Sequence, residues 1–271
     1  MATDKSTMKE TYLQLMYGRF LRSMEEVYNI TMFGLRFFKY VLLPPYEIGQ
    51  VRKHLDELGA KSIPLLTVVG LIMGLILALQ SRPTLDRFGA GGFLPAMIAL
   101  TIVRELGPVI TALIVAGRVS SGIGAELGSM KVTEQIDALE VSAIDPYNYL
   151  VVTRVLACCI MLPLLTAYVD FLAIFGGFVA EWIAHNSSFQ LYFTEVIQSL
   201  RFYDLIPGVG KTIAFGYIIG IIGAYQGFNT THGTEGVGRA ATTAVVLASL
   251  NIIFLDMVII QLTFLFLGTG V

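Results

Sequence analysis

Ser129-Met-Lys-Val-Thr-Glu-Gln-Ile-Asp-Ala-Leu-Glu-Val141 is a polar, helix-forming stretch set between two greasy ones, Phe93 to Gly117 and Val151 to Ala180. At 100° per residue, Val132, Ile136, Leu139 and Ala143 gather on one arc, and Met130, Glu134, Asp137 and Val141 gather on the opposite one. The second arc mixes acids with hydrophobes, whereas a merely solvated face is more uniformly polar. Ser129 suits an N-cap and Asp145-Pro146 a stop, so the pattern predicts one helix of about 3 to 4 turns. Two readings stay open. One is a connecting helix lying on a membrane; the other is a docking element for a cytoplasmic partner, with Met130, Glu134, Asp137 and Val141 as the docking face.

The flanking segments decide the setting. Over 271 residues, 55% are hydrophobic and 14% charged, beyond what an ordinary soluble domain carries. A hydrocarbon core of about 30 Å needs about 20 mainly apolar residues per helix. Candidate spans run over Ile63 to Leu79, Phe93 to Gly117, Val151 to Ala180, Ile206 to Ala224 and Ala241 to Leu267. The expected fold is therefore an all-α integral membrane protein with five transmembrane helices. What lies between the spans is too fragmented for a nucleotide-binding or catalytic domain, so any energy-transducing chemistry must come from another polypeptide. A net charge of -2 implies no nucleic-acid partner. Cys158 and Cys159, adjacent in an apolar run, read as packing residues rather than as a disulfide or metal site.

Residues 1–62 read as a cytoplasmic N-terminal region, without the apolar core of a cleaved signal peptide. Within it, about 30–46 resembles an interfacial helix: Phe33, Phe37, Phe38, Val41 and Leu42 surround Arg36 and Lys39, and Pro44-Pro45 ends it. Gln50 to Lys61 reads as a charged linker, and residues 63–271 as the five-span domain. Nine of the eighteen Lys and Arg precede Pro64, which puts the N-terminus in the cytoplasm, the C-terminus outside and the 129–141 segment inside.

Arg104, Glu105, Asp170, Lys211 and Asp256 all fall inside spans, where a charge facing lipid costs several kcal/mol. At ~1.5 Å per residue, Arg104 and Glu105 lie about 17 Å and Lys211 about 8 Å from the outer ends of their spans, while Asp170 lies about 28 Å and Asp256 about 22 Å from the inner ends. The charges thus occupy the middle and outer half of the membrane. They form either a polar substrate path open to the outside or buried salt bridges that fix helix packing. Pro108, four residues after Arg104, leaves the Arg104 carbonyl without its helical donor and favours a wet or substrate-lined site. Gly216, Gly220, Gly223 and Gly227 permit close helix contact, in a tight bundle or a homodimer seam.

Other motifs fail on context. Gly208-Val-Gly-Lys-Thr212 lacks the earlier glycine of a phosphate-binding loop and enters a span, and Gly233-Thr-Glu-Gly-Val-Gly238 has the wrong spacing for a dinucleotide site. His54, His185 and His232 are isolated, which supports neither a metal site nor a catalytic triad.

The run Gly124-Ala-Glu-Leu-Gly-Ser-Met-Lys-Val-Thr-Glu-Gln-Ile-Asp-Ala-Leu-Glu-Val141, continuing to Ile144-Asp-Pro146, resembles the signature of MlaE (YrbE) permeases, above all in its Glu134-Gln-x-Asp-Ala138 core. Arg104-Glu-Leu-Gly-Pro108 and Gly233-Thr-Glu-Gly-Val-Gly238 also resemble family positions, so the match covers roughly residues 30–270. The resemblance implies a homodimeric inner-membrane permease of an ATP-binding-cassette transporter, moving glycerophospholipid between the inner and outer membranes of a Gram-negative envelope and maintaining outer-membrane lipid asymmetry. It implies that residues 129–141 are a coupling helix, and that Arg104, Glu105, Lys211 and Asp256 match polar positions around a lipid cavity. Asp170 joins them on depth alone. The implied partners are a cytoplasmic ATPase that holds ATP and Mg, a periplasmic MCE-domain protein and, in some members, a STAS-domain protein; the chain itself needs no cofactor and catalyses no covalent chemistry. An ion- or proton-coupled secondary transporter and a non-transporting membrane scaffold are the alternatives.

Overall fold

A computed structural model describes Leu21 and residues 24–42, 47–231 and 233–267. The chain divides into two units, Met1–Tyr46 and Glu47–Val271. In the first, residues 24–40 form helix α1; the expected stop at Pro44-Pro45 lies outside the described residues.

The described residues of the second unit form helices joined by short turns, with no strand among them, and five of the helical stretches are long and apolar enough to cross a membrane. Helix α2 (Ile48–Gly59) leads into α3 (Ile63–Arg87), the first span. The second span is segmented into α4 (Leu94–Thr101), a π-helical turn (Ile102–Leu106), α5 (Gly107–Val115), a second π turn (Ala116–Ser120) and α6 (Ser121–Val132). A short helix, α7 (Gln135–Val141), and a third π turn (Tyr147–Val152) introduce the long α8 (Thr153–His185), which passes through Pro163. Helix α9 (Phe189–Ser199) lies between α8 and α10 (Phe202–Phe228), and α11 (Gly233–Leu267) is the last span.

Contacts between spans fix their directions. Thr67 meets Tyr168 at 2.7 Å, and Arg82 meets Glu181 at 2.6 Å. A Cβ on Gly74 would run into the Ala173 carbonyl. The partner's number therefore rises with the residue's own by an almost constant offset, the mark of parallel neighbours; α3 and α8 run side by side for most of their length. Helices α10 and α8 are antiparallel, since Gly216 abuts Cys158 and Gly220 abuts Val155. Helix α10 runs parallel to α6, with Gly223 against Ser120 and Ile123 and Gly227 against Leu127. Gly216, Gly220, Gly223 and Gly227 of α10 are thus spent on close packing inside one bundle, where a side chain would separate backbones that now touch.

Several stretches outside the five apolar runs are helical. The expected linker, Gln50 to Lys61, is mostly α2: Val51, His54, Leu55 and Leu58 repeat at helical spacing, and the helix packs on α8. Ser81-Arg82-Pro83 stays within α3, because Arg82 reaches both Asp86 on its own helix (3.0 Å) and Glu181 on α8. Ser120 to Gly128, glycine-rich as it is, continues the second span through α6, its Gly124 and Gly128 packed against Ala240 and Thr230. The polar segment after Glu181 contains α9, whose Tyr192 and Val196 are buried and whose Phe189 and Phe193 ring with Phe178. Residues 226–228 and 233–239 are helical, and Gly236 packs against the Thr231 carbonyl near the start of α11.

The 129–141 segment is not one helix. Ser129 sits in the last turn of α6 rather than at an N-cap, and its carbonyl accepts both the Thr133 N–H (3.0 Å) and the Thr133 hydroxyl (2.8 Å), closing the helix. Glu134 then takes a left-handed conformation (φ 58°, ψ 15°) before α7 starts. Helical periodicity cannot register one such residue, since the apolar positions on either side still fall at helical intervals. Asp145, expected as part of a stop, starts the next element instead: its Oδ1 accepts the Tyr147 N–H at 2.9 Å.

Candidate functional site

The first π turn sets the position of the charged centre. Gly107 N donates to the Ile102 carbonyl, five residues back, and Pro108 has no N–H to offer the Arg104 carbonyl. Lys211, arriving on α10, donates to that carbonyl at 3.4 Å and to Glu105 Oε2 at 2.7 Å. Asp256 of α11 places Oδ1 3.0 Å from the same ammonium, as an ion pair off the hydrogen-bonding direction. Three spans thus converge on one nitrogen. The carbonyl freed by Pro108 is satisfied by a side chain from another helix, which is how membrane helices tolerate an internal proline.

Exposure within the centre is uneven. The Lys211 side chain is 2% exposed, Asp256 15% and Glu105 42%. A buried ammonium needs its counter-charges, and the two carboxylates supply them. Arg104, half-buried, sits on the same turn as Glu105. Beside Lys211 an open groove of about 410 Å³ runs between α10 and α11, walled by Ile206, Pro207, Ile259 and Leu262, with Gly210 and Thr263. Its walls are apolar, and among the described residues its one charged lining residue is Lys211. A guest with apolar chains and a polar end fits such a surface better than a wholly polar solute does.

Four of the five candidate path residues, Arg104, Glu105, Lys211 and Asp256, therefore occupy one place. Asp170 does not join the ion pairs on Lys211. It sits on α8 with Oδ1 against Gly107, and two residues along a helix from Glu105 is about 200° around its axis.

At the α7 end of the bundle, the four candidate docking residues straddle the break: Met130 on α6, Glu134 in the turn, Asp137 and Val141 on α7. Ile136 is buried and Leu139 half-buried, whereas Glu134, Asp137 and Val141 are exposed, Val141 by 90%. Met130 is half-buried and Ala143, read as inward, is exposed. Lys131 spans the break to Asp137 at 2.8 Å, tying the two helices together. A non-glycine residue at positive φ costs roughly 1–2 kcal/mol, so a surface turn held that way by Glu134 is a marked feature of the segment.

Other polar contacts escape a reading by span. Arg154, 4% exposed, donates to Glu126 Oε1 at 2.7 Å and to the Leu150 carbonyl at 2.9 Å, clamping α8 to α6 just ahead of the turn at Glu134. Gln50 Nε2 donates to the Tyr149 hydroxyl at 2.7 Å and ties α2 to the base of the third span. Arg82 and Glu181 join α3 to α8 at the far end. The one sequence cue for the Arg154 and Arg82 pairs is an arginine at the margin of an apolar run, which does not name its partner. Among the described residues no group of His, Cys, Asp and Glu is arranged to hold a metal ion.

Comparison with known proteins agrees with this architecture. Residues 51–262 match the model of the family described as Permease MlaE. A probable ABC transporter permease protein of Rickettsia typhi is 39% identical over 83% of this chain and 86% of its own length. The intermembrane phospholipid transport system permease protein MlaE of Haemophilus influenzae is 34% identical over 79% of this chain and 85% of its own. The chloroplastic protein TRIGALACTOSYLDIACYLGLYCEROL 1 of Arabidopsis thaliana is 34% identical over 80% of this chain and 62% of its own. A five-span bundle with a charged centre on the fourth span, matched to that family over most of its length, belongs to the MlaE family of ABC transporter permeases.

Proposed function

We propose that this permease moves glycerophospholipid between the inner and outer membranes of a bacterial envelope and so maintains the lipid asymmetry of the outer membrane. The observation that carries the reading is the apolar groove of about 410 Å³ whose charged lining residue is the buried Lys211. Acyl chains suit the walls of Ile206, Ile259 and Leu262; Glu105, the most exposed of the three ion-pair partners, is placed to meet a headgroup. The name of the Haemophilus influenzae relative supports the class of cargo.

In this reading the chain works as a homodimer with its N-terminus in the cytoplasm and its C-terminus in the periplasm. A partner ATPase, holding ATP and Mg, docks on Met130, Glu134, Asp137 and Val141. An MCE-domain protein covers the opposite end, and a STAS-domain protein joins the ATPase. The Arg154–Glu126 clamp supports it mechanically: a push on the α6–α7 turn is passed to α8 through a bidentate pair rather than through a flexible loop. The test is transfer of labelled phospholipid by the purified complex in vesicles. Transfer should require ATP and be indifferent to a proton gradient; transfer driven by a gradient, or by the chain without an ATPase, would overturn the reading in favour of a secondary transporter.

A further inference from the structure

Behind the charged centre, on the other side of the second span, lies a polar column that the lipid reading does not use. Gly107 on α5 has no side chain, and Asp170 Oδ1 of α8 occupies the place a Cβ would take. Helices α5 and α8 belong to successive spans and run antiparallel. One turn further along each, Thr111, four residues after Gly107, comes opposite Thr166, four residues before Asp170. Thr111 is 0% exposed and Thr166 4%. Among the described residues neither hydroxyl has a hydrogen-bond partner, and neither does Asp170 Oδ1.

These two buried threonines differ from five others in the spans. Thr67, Thr153, Thr212, Thr242 and Thr263 each donate to a carbonyl three or four residues back in their own helix, the usual resting place for such a hydroxyl. Thr111 and Thr166 forgo that bond at the level where Asp170 Oδ1 also lacks a hydrogen-bond partner. Buried polar groups are ordinarily satisfied, and oxygens left over on two facing helices mark a place built for something held between them.

We propose that Asp170, Thr111 and Thr166 form a binding site for a small monovalent cation such as sodium. All three ligands are oxygens, the donors that hard cations prefer. One carboxylate balances one positive charge; the ion pairs of the neighbouring centre end on Lys211, and among the described residues no salt bridge reaches Asp170. A bound ion would brace α5 against α8 directly behind the π turn that carries Glu105. The site rests on its own geometry and stands whatever the cargo is.

The experiment uses the full chain purified in detergent, in sodium chloride or in choline chloride of equal concentration, with retention of radioactive sodium and the thermal midpoint as readouts. Wild type is expected to retain sodium stoichiometrically and to melt several degrees higher in sodium. Thr111→Val and Thr166→Val keep the side-chain shape and should each abolish the difference, as should Asp170→Asn. Equal midpoints in the two salts with no retained sodium, the result for a column that holds only water, would overturn the proposal; wild type alone gives that answer even where a variant fails to fold. Valine variants that keep the full sodium dependence would overturn it as well.

Discussion

Glu105 and Lys211 meet at 2.7 Å across 106 positions of chain, the one with 42% of its side chain exposed and the other with 2%. The pair is therefore asymmetric. Lys211 is fixed from three directions, by Glu105, Asp256 and the Arg104 carbonyl, whereas Glu105 keeps a face open. In a pair of this kind the buried member sets the structure and the exposed member is the one a guest can address.

That asymmetry separates two substitutions. Lys211→Met leaves Asp256 buried without a counter-charge and should lower stability by about 3 kcal/mol, the low end for breaking a buried pair, because Glu105 can turn outward. Glu105→Gln removes a half-exposed charge and should cost no more than about 1 kcal/mol. Phospholipid transfer should nevertheless fall in both. Thermal midpoints beside transfer rates check this: a Glu105→Gln protein that melts and transports as wild type would make the centre a packing device.

The turn at Glu134 allows charge and conformation to be tested apart. Glu134→Gly removes the side chain but suits a positive φ, so it should stabilise the turn by about 1 kcal/mol while weakening ATPase co-purification. Glu134→Lys retains the strain and reverses the charge, and should abolish co-purification with the fold intact. Asp137→Lys should do the same and in addition lose the 2.8 Å pair with Lys131. Unchanged pull-down in all three would refute the docking face.

How much of this was legible beforehand depended on the range of the interaction. Five apolar runs gave five spans, and the charges at Arg104, Glu105, Lys211 and Asp256 were flagged by their cost in lipid alone. Pro108 gave even the freed carbonyl, though not the lysine that satisfies it. Helix ends were misjudged where tertiary contacts outweigh composition: Arg82 keeps Pro83 inside α3 by bonding to Glu181, 99 positions away. The break at Glu134 was invisible because periodicity records which residues are apolar and not the sign of one φ angle. Asp170 was grouped by depth, a coordinate that says nothing of the side of the helix on which a carboxyl falls.

The close approach of α3 and α8 gives a test of the bundle itself. A Cβ at Gly74 would collide with the Ala173 backbone, which cannot swing aside as a side chain can, whereas one at Gly117 meets nothing. Gly74→Ala should therefore separate the helices and lose about 1–3 kcal/mol. Gly117→Ala, in a helical segment with open space, should be neutral or gain about 0.5–1 kcal/mol. Thermal midpoints in one detergent compare them directly, and equal values would contradict the parallel packing of the first and third spans.

The Arg154–Glu126 clamp predicts an inequality of its own. Arg154 is 4% exposed and Glu126 52%, so the two ends face different media. Glu126→Ala strands a buried guanidinium whose other bond is the Leu150 carbonyl, and should cost about 3 kcal/mol. Arg154→Met fills the same space with an apolar chain and leaves Glu126 in water, which should be close to neutral for stability. Both break the link between α6 and α8 and should uncouple ATP hydrolysis from lipid transfer, raising the ATP used per lipid moved. Ratios measured in reconstituted vesicles, beside melting of the same preparations, distinguish the roles. A Glu126→Ala protein that melts like Arg154→Met would show that the arginine is not buried as described, and an unchanged ratio in both would remove the clamp from the transmission of force.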